Sequence, residues 1–387
     1  MACSSQHDIL IVGGGPVGAA LALALESSGL SVLLADASGA DTRDDDPRTL
    51  ALSYGSRLIL ERLGVWDDVT PATPIASIHV SHQGAFGRAA LSAAEGGLPA
   101  LGYVVPYAAL QRALIAGRQR AAHVTLAAHA RATRVEANAE SVRVEFEDNG
   151  SNRTVRAQLA VIADGGATSQ ALTRVNVRDY GQSAIAANVL TARPHGNIAF
   201  ERFTAAGPLA LLPREEGYAL VWTVSPETAC ELCALPGKAF LAQLQTAFGG
   251  RAGTFMEVSA RAQFPLALRV AESPTAARTV LLGNAAQTLH PVAGQGLNLG
   301  LRDAWELGEC IQSHPGDPGR SEVLAAYARR RWRDRAGEIL LTDTLVRVFS
   351  NDHFPLRWLR GCGLTFLDSL PPIKRAFMQQ MMFGRPF

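Results

Sequence analysis

The feature that most constrains the fold is a glycine-rich turn near the start of the chain. Residues 13–18 read Gly-Gly-Gly-Pro-Val-Gly, which has the spacing G-x-G-x-x-G. A short apolar run with β-branched residues, 9–12, precedes this turn, and an alanine-rich segment, 16–28, follows it. A second apolar run occupies residues 31–35. The pattern predicts a βαβ unit with buried parallel strands.

In this context the turn predicts a dinucleotide-binding site. Gly13 permits the tight turn, Gly15 lets the backbone approach a pyrophosphate, and Gly18 lets the helix lie close to the strand. Pro16 and Val17 open the helix. A helix N-terminus offers unpaired N–H groups and the positive end of its dipole to phosphates.

Asp36 supports the same prediction. It ends the second predicted strand and stands where an acidic side chain would bind ribose hydroxyl groups. The turn and Asp36 together predict a bound dinucleotide, but they do not distinguish NAD from FAD.

The rest of the chain divides into segments of different pattern. Residues 159–163 and 279–282 are two more short apolar runs, as expected of buried strands. Residues 180–265 alternate apolar and polar positions, which is typical of antiparallel strands. From residue 300 to about 348 the pattern is helical. The prediction is an α/β fold in which a Rossmann-like domain is interrupted by a β-rich domain and followed by a helical C-terminus.

Composition excludes several classes of protein. The chain has 36 basic and 35 acidic side chains, so its net charge of +1 lacks the basic excess that nucleic-acid binding normally needs. Five cysteines among 387 residues make no disulfide framework, which predicts a reducing, cytoplasmic location. The apolar run 9–25 is short, broken by glycines and proline, and without a basic leader, so no membrane span is predicted. No metal site is predicted either.

Several segments resemble the class A flavoprotein aromatic hydroxylases. Residues 46–52 read Asp-Pro-Arg-Thr-Leu-Ala-Leu, and residues 161–165 read Val-Ile-Ala-Asp-Gly. Residues 282–303 contain Gly-Asn, His-Pro and Gly-Gln-Gly-Leu-Asn, and resemble the ubiquinone-biosynthesis hydroxylases, most closely those of the 2-polyprenyl-6-methoxyphenol (UbiH) type. Residues 199–204 and 207–213 resemble the same subfamily. The resemblance implies the aromatic hydroxylase fold and FAD as the cofactor.

The resemblance also implies domain bounds. The FAD-binding domain is predicted to comprise 1–74, 106–178 and 276–345, and the β-rich substrate domain 75–105 and 179–275. A helical C-terminal segment is predicted for 346–387.

Further cofactor contacts are implied by position within the resembling segments. Arg48 would lie near the flavin and pyrophosphate, and its planar donor fork suits phosphate oxygens. Gln111 would contact the phosphate or ribityl region. Val135 occupies a strand position whose backbone meets the adenine in relatives. For each of the three, an ordinary surface or core role is the alternative.

Two more motifs belong to this set. Asp164 lies in the Asp-Gly motif that serves FAD and, in some relatives, nicotinamide. Many relatives carry an arginine seven residues later, where this chain has Ala171, a departure that weakens the case for nicotinamide docking. Gly283 and Asn284 stand where most relatives have Gly-Asp, whose acid binds the ribityl chain.

The loop that follows is predicted to meet the isoalloxazine ring. Its backbone N–H groups would stabilise negative charge on the reduced flavin. His290, immediately before the loop, would either carry a proton near the flavin or brace the loop by a hydrogen bond. The predicted cofactor contacts here are Pro291, Gly294, Gln295, Gly296, Leu297 and Asn298.

The function implied is hydroxylation of the ring of a polyprenyl phenol in ubiquinone biosynthesis through a flavin hydroperoxide. Dioxygen is the co-substrate, and NAD(P)H or a partner protein supplies electrons. Two alternatives stay open: a flavin hydroxylase of a soluble aromatic compound, and a flavin-bearing scaffold subunit that binds other proteins of a quinone-biosynthesis complex.

The segment 346–387 combines aromatic and apolar side chains with interspersed basic residues, among them Arg360, Lys374 and Arg375. Such a pattern fits a membrane-surface or partner-binding helix. The resemblance favours peripheral association with the inner membrane or with a protein complex, because a polyprenylated substrate would be taken from a bilayer. The alternative is a helix packed on its own domain.

Overall fold

The computed structural model describes residues 6–38, 46, 48–84, 86–148, 151–349 and 354–384. Within these residues the chain forms twenty β-strands and ten α-helices. The strands are β1 (Gln6–Val12), β2 (Val32–Asp36), β3 (Thr49–Ser53), β4 (Thr73–Ile75), β5 (Ser77–His82), β6 (Arg88–Ser92), β7 (Gly102–Pro106), β8 (Val124–Ala128), β9 (Ala130–Ala137), β10 (Val142–Asp148), β11 (Ser151–Ile162), β12 (Val175–Thr191), β13 (Ile198–Phe203), β14 (Pro208–Pro213), β15 (Tyr218–Val224), β16 (Phe255–Val258), β17 (Ala262–Ala271), β18 (Thr275–Ala276), β19 (Thr279–Leu281) and β20 (Gln287–Thr288). The helices are α1 (Pro16–Ala24), α2 (Tyr54–Arg62), α3 (Tyr107–Arg120), α4 (Ser169–Leu172), α5 (Pro226–Ala234), α6 (Gly237–Phe248), α7 (Gln295–Gln312), α8 (Ser321–Phe349), α9 (Phe354–Ser369) and α10 (Pro371–Phe383).

An eight-stranded sheet contains the predicted βαβ unit. Its order is β18-β19-β11-β1-β2-β8, and β9 and β10 extend it as an antiparallel meander from β11. Strand β1 runs parallel to both β2 and β11, and β11 runs parallel to β19. Ile9, Leu10 and Ile11 are fully buried because both faces of this parallel core are covered.

The predicted β-rich domain forms a nine-stranded sheet in the order β20-β17-β12-β15-β14-β13-β5-β6, with β16 paired to β12. All of its pairings are antiparallel except that of β5 with β13. Helices α5 and α6 cover part of it, so Phe240 and Leu244 are buried against residues such as Leu209 and Leu211. A third sheet has the order β3-β7-β4.

The two large sheets draw their strands from interleaved parts of the chain. Residues 6–36, 124–162 and 275–281 supply the eight-stranded sheet, and residues 77–92, 175–271 and 287–288 supply the nine-stranded sheet. The exact domain bounds given above stay a prediction.

Close packing places α7 directly against α1. A Cβ atom on Gly300 would lie only 2.7 Å from Cγ2 of Val17, and one on Gly308 would lie 3.0 Å from Cβ of Ala24. Only glycine permits this approach at those positions. The contact sets the N-terminus of α7 beside the glycine turn.

Buried ion pairs join α7 to α8. Nε of Arg331 donates a hydrogen bond of 2.8 Å to Oδ1 of Asp303, and Nη1 of Arg331 lies 2.7 Å from Oδ2 of Asp334. Nε of Arg302 lies 3.0 Å from the same Asp334 oxygen. All four side chains are buried. Because each charge is compensated inside the protein, loss of one would leave its partner unpaired.

The C-terminal helices pack on the rest of the chain. Leu364, Met378 and Met382 are buried. Arg360 is also buried, with Nη1 3.0 Å from Nε2 of His82, and Lys374 is buried where it pairs with Glu95 and Asp368. These two basic residues therefore do not border a surface-facing apolar helix face, whereas Arg375 is exposed. The predicted segment 346–387 is described here at 346–349 and 354–384.

In the part of the chain that the structure describes, no helix has both the length and the apolar character needed to cross a bilayer.

We expect Asp303→Asn to lower the free energy of unfolding by about 3 kcal/mol, because it removes one partner from a buried ion pair. Urea unfolding followed by circular dichroism measures the change. The control is Glu272→Gln, which breaks an exposed pair with Arg174 and should change stability by less than about 0.5 kcal/mol. Equal effects of the two variants would contradict the role assigned to the buried pairs.

Candidate active site

One cavity of about 1420 Å³ brings together the two stretches that carry the sequence motifs. The glycine turn lines it from one side and the loop before α7 from another, and strands of the nine-stranded sheet form a further wall. The predicted site residues in its lining are Gly13, Gly15, Pro16, Val17, Asp36, Arg48, Gln111, Asp164, Gly283, Asn284, His290, Pro291, Gly294, Gln295, Gly296, Leu297 and Asn298.

The glycine turn is held in place by backbone hydrogen bonds to Asp36. N–H of Gly14 donates to Oδ2 and N–H of Ser38 donates to Oδ1, both at 2.7 Å. Gly13 has φ +108°, and a Cβ there would overlap the carbonyl oxygen of Ala163. A Cβ on Gly15 would meet no atom within 4 Å, because Gly15 faces the open cavity. The turn therefore offers space for a phosphate at the start of α1.

Two predicted residues lie outside the cavity lining. A Cβ on Gly18 would overlap the carbonyl oxygen of Gly13, so this glycine permits the close approach of α1 to the turn that the motif predicts. Val135 packs against the hydrophobic cluster that contains Val144. The part of β9 that lines the cavity is instead residues 130–132, nearer the start of the strand.

Arg48, just before β3, and Gln111, on α3, line the cavity. Nε and Nη2 of Arg48 donate to the carboxylate of Asp46, which raises the pKa of Arg48, and its guanidinium lies 4.2 Å above the ring of Tyr107. Nε2 of Gln111 donates a hydrogen bond of 3.0 Å to the carbonyl of Gly14. Oε1 of Gln111 is buried and has no partner among the described residues, so it remains available as an acceptor for a ligand.

Asp164 holds a turn. Its carboxylate accepts hydrogen bonds from N–H of Gly166 and from both N–H and Oγ1 of Thr168. Gly283 has φ +55° and lies against Val17, and Asn284, which follows it, is exposed. Asp164 thus shapes the backbone at the end of β11, whereas the Asn284 side chain has no hydrogen bond to a described residue that would compete with a ligand.

The loop before α7 presents the start of a long helix to the cavity. Gly294 precedes α7 with φ +62°, in the left-handed region. The N–H groups of Gln295, Gly296 and Leu297 stand at the start of the helix, where no intrahelical carbonyl is available to them. Together with the helix dipole they favour negative charge at this end of the cavity.

Asn298 fixes this loop to the neighbouring strand. Its Oδ1 accepts hydrogen bonds from N–H of Ser53 and from Oγ of Ser56, at 2.8 and 2.7 Å. Its Nδ2 donates to the carbonyls of Ala51 and Gly294, at 3.0 and 2.8 Å. Because all its hydrogen-bonding capacity is used within the protein, the Asn298 side chain positions the loop.

His290 also braces the loop. Its Nδ1 accepts a hydrogen bond of 3.1 Å from N–H of Val292, and its ring lies edge-on to Tyr180, with the ring centres 5.4 Å apart. Burial lowers the pKa of His290 to about 4, so the imidazole is neutral near pH 7. The geometry fits the bracing role better than that of a proton carrier that cycles through an imidazolium.

Sequence reasoning missed Glu201, a residue of β13 that lines the cavity. Oε1 of Glu201 is buried and has no hydrogen-bond partner in the described part of the chain. Burial raises the pKa of Glu201 to about 8. The available signal was a carboxylate at the strand position between Ala199 and Phe203 on one face, which contrasts with the usual apolar pattern of a buried sheet face.

Comparison with known proteins shows which family this chain belongs to. A model of the FAD binding domain family matches residues 6–339. The ubiquinone hydroxylase UbiL of Rhodospirillum rubrum is 36% identical over 97% of this chain and 89% of its own length. The 3-demethoxyubiquinol 3-hydroxylase of Escherichia coli is 33% identical over 95% of this chain and 96% of its own. The chain belongs to the ubiquinone hydroxylase family.

The fold of this family member also resembles solved structures. The p-nitrophenol 4-monooxygenase PnpA of Pseudomonas putida DLL-E4 aligns with a TM-score of 0.80 over 99% of this chain and the whole of that chain, at 16% identity. The predicted family, the aromatic hydroxylase fold and the enzyme class, an FAD-dependent monooxygenase, are confirmed. The cofactor contacts of individual residues stay predictions.

The residues present fit FAD. The open space at Gly15 and the start of α1 suit a pyrophosphate, and the unpartnered oxygen of Gln111 suits a hydroxyl donor. The N–H groups at the start of α7 suit the electron-rich edge of a flavin ring.

We expect Gly15→Val to reduce the FAD content of the purified protein about tenfold or more, because the side chain would fill the space at the start of α1. Stability should change little, since Gly15 has extended backbone angles (φ −65°, ψ 179°) and open surroundings. Absorbance at the flavin band relative to 280 nm measures the content, and thermal unfolding of the flavin-free proteins measures stability.

The matched control is Gly250→Ala, in a surface turn with nothing within 4 Å of its Cβ, which should keep full FAD content. Normal flavin content in Gly15→Val would show that the pyrophosphate lies elsewhere.

Proposed function

We propose that this ubiquinone hydroxylase family member hydroxylates the ring of a polyprenyl phenol during ubiquinone biosynthesis. In this proposal dioxygen is the co-substrate, and NAD(P)H or a partner protein supplies the electrons that reduce FAD. The names of its curated relatives, ubiquinone hydroxylase and 3-demethoxyubiquinol 3-hydroxylase, support the pathway.

The size and lining of the cavity carry the proposal. A pocket for one drug-sized ligand measures roughly 300–1,000 Å³, and this cavity, at about 1420 Å³, is larger. Beyond the dinucleotide motifs its walls are mostly apolar, with Glu201 and Arg360 as charged exceptions, and are formed by residues of β5, β13, β14, α8, α9 and α10. Examples are Val80, Leu212, Leu345, Leu364 and Met381. Such a chamber suits a substrate that carries a hydrocarbon chain.

The chemistry divides between cofactor and protein. FAD, once bound and reduced, supplies with dioxygen the oxygen atom that is transferred to the ring. The glycine turn would bind the pyrophosphate, and the N–H groups of residues 295–297 would stabilise negative charge on the ring system. The apolar walls would exclude water and hold the phenol in place.

The decisive experiment deletes the gene in its host and identifies the quinone precursor that accumulates. We expect loss of ubiquinone and accumulation of a polyprenyl phenol that lacks one ring hydroxyl group. Restoration by wild type and by Gly250→Ala, but not by the flavin-deficient Gly15→Val, is expected of an enzyme. An unchanged quinone profile would overturn the pathway, and rescue by Gly15→Val would favour the scaffold role instead.

We also propose that α9 contacts a lipid bilayer. Trp358 and Phe366 on α9 are 62% and 57% exposed, and Phe86 packs against Trp358 with ring centres 5.3 Å apart. Leu364 and Leu367 of the same helix line the cavity. One helix therefore presents aromatic side chains outward and apolar side chains to the chamber, which suits the transfer of a prenylated substrate out of lipid.

We expect the double variant Trp358→Ser with Phe366→Ser to bind vesicles of phosphatidylcholine and phosphatidylglycerol about tenfold more weakly, because two apolar contacts are lost. Co-sedimentation measures the bound fraction. The matched control, Trp332→Ser with Leu340→Ser, removes two exposed apolar side chains of α8 and should bind as wild type does. Equal binding by both double variants would contradict a membrane contact at α9.

A further inference from the structure

Glu201 occupies a row of residues that faces the cavity across the nine-stranded sheet. Its strand register pairs it with Val80 on β5 and with Ala210 on β14, and Ala210 is paired with Val221 on β15. All four residues line the cavity. A carboxyl group thus lies between apolar neighbours on the wall of the chamber.

Among the residues that the structure describes, no positively charged side chain pairs with this carboxyl group. Arg202, the next residue along β13, donates to the carbonyl of Ala247 and to Oγ of Ser81 and lines a separate cleft. From the other elements around the chamber, His290 is neutral and engaged with Val292, and Arg360 contacts His82. The remaining ionisable side chains of the cavity lining are Asp36, Arg48, Tyr107, Arg118, Arg131 and Asp164.

A carboxylate oxygen of Glu201 lacks a hydrogen-bond donor within the described protein. Oε1 is shielded from solvent and accepts no hydrogen bond from a described residue. A buried polar atom without a partner costs the free energy of its lost hydration, so a ligand group that donates a hydrogen bond to it would be stabilised. The pKa of Glu201, raised to about 8 by burial, keeps both protonation states accessible near neutral pH.

We infer that Glu201 accepts the hydrogen bond and then the proton of the ring hydroxyl group of the substrate, an inference that rests on the proposed phenol hydroxylation. The proton passes from the phenol oxygen to the carboxylate of Glu201, and the electron pair of the broken O–H bond stays on the phenol oxygen. That charge enriches the ring carbons ortho and para to it, which favours transfer of an electrophilic oxygen atom. After the transfer, the hydrogen on the attacked ring carbon leaves as a proton to water and the proton on Glu201 returns to the phenol oxygen. The aromatic ring and the carboxylate are thereby both restored.

The inference sets a requirement on the substrate: its ring must carry a free hydroxyl group rather than only ethers. A carboxylate accepts a hydrogen bond from a phenol but repels an ether oxygen, whereas a protonated carboxyl group can donate to either. Discrimination between the two should therefore grow as Glu201 loses its proton.

The test measures binding of 2-methoxyphenol and of its ether, 1,2-dimethoxybenzene, to the oxidised holoenzyme by isothermal titration calorimetry between pH 6.5 and pH 9. We expect the wild-type preference for the phenol to rise to about tenfold as the pH passes through 8. Glu201→Gln should show a small preference that does not change with pH. The control Glu215→Gln, an exposed carboxylate in the turn after β14, should reproduce the wild-type curve.

The wild-type curve tests the inference without any variant, and FAD content and thermal unfolding verify that Glu201→Gln is folded. A wild-type protein that binds the phenol no better than the ether at any pH overturns the inference, as does an unchanged pH dependence in Glu201→Gln. Failure of the proposed function is read separately: the wild type would then restore no quinone synthesis in the deletion strain, whatever the binding curves show.

Discussion

The contact between α1 and α7 is the constraint on which the site depends. Glycines at positions 300 and 308 let the two helices approach so closely that their N-termini open into one cavity. The side chain of Asn298 then ties the start of α7 to β3 and α2 through three hydrogen bonds, and a fourth goes to the carbonyl of Gly294 just before α7. Two segments that are distant in the chain thereby become a single surface for phosphate and flavin, and neither segment would form that surface alone.

The buried ionisable groups between α7 and α8 differ in their electrostatics from those in the chamber. The charges between α7 and α8 are compensated by one another, so they fix the position of α7 without facing the chamber. In the chamber itself, burial keeps His290 neutral and raises the pKa of Glu201. The ion pairs between α7 and α8 therefore stabilise the scaffold. His290 and Glu201, whose charged forms are disfavoured by burial, face the space where a ring would bind.

The sequence predicts the parts of this arrangement that depend on local pattern. The glycine turn, the terminal acid of β2 and the loop before α7 are recognisable because their roles require particular residues at fixed spacing, and all line the cavity. Local sequence pattern could not predict where Val135, Lys374 and Glu201 lie relative to the cavity and to their partners. The position of Val135 depends on which end of β9 meets the cavity, that of Lys374 on carboxylates brought from distant segments, and that of Glu201 on strand register across a sheet. Each is a consequence of tertiary packing.

The placement of α10 has a consequence for biosynthesis of the protein. Phe377, Met378, Met381 and Met382 close the chamber, and the backbone carbonyl of Met381 accepts a hydrogen bond from Gln295 at the start of α7. The glycine turn leaves the ribosome well before these residues of α10 do. During translation the nascent chain therefore contains all the segments of the nucleotide site, up to the start of α7, before α10 is made and can cover the apolar part of the cavity.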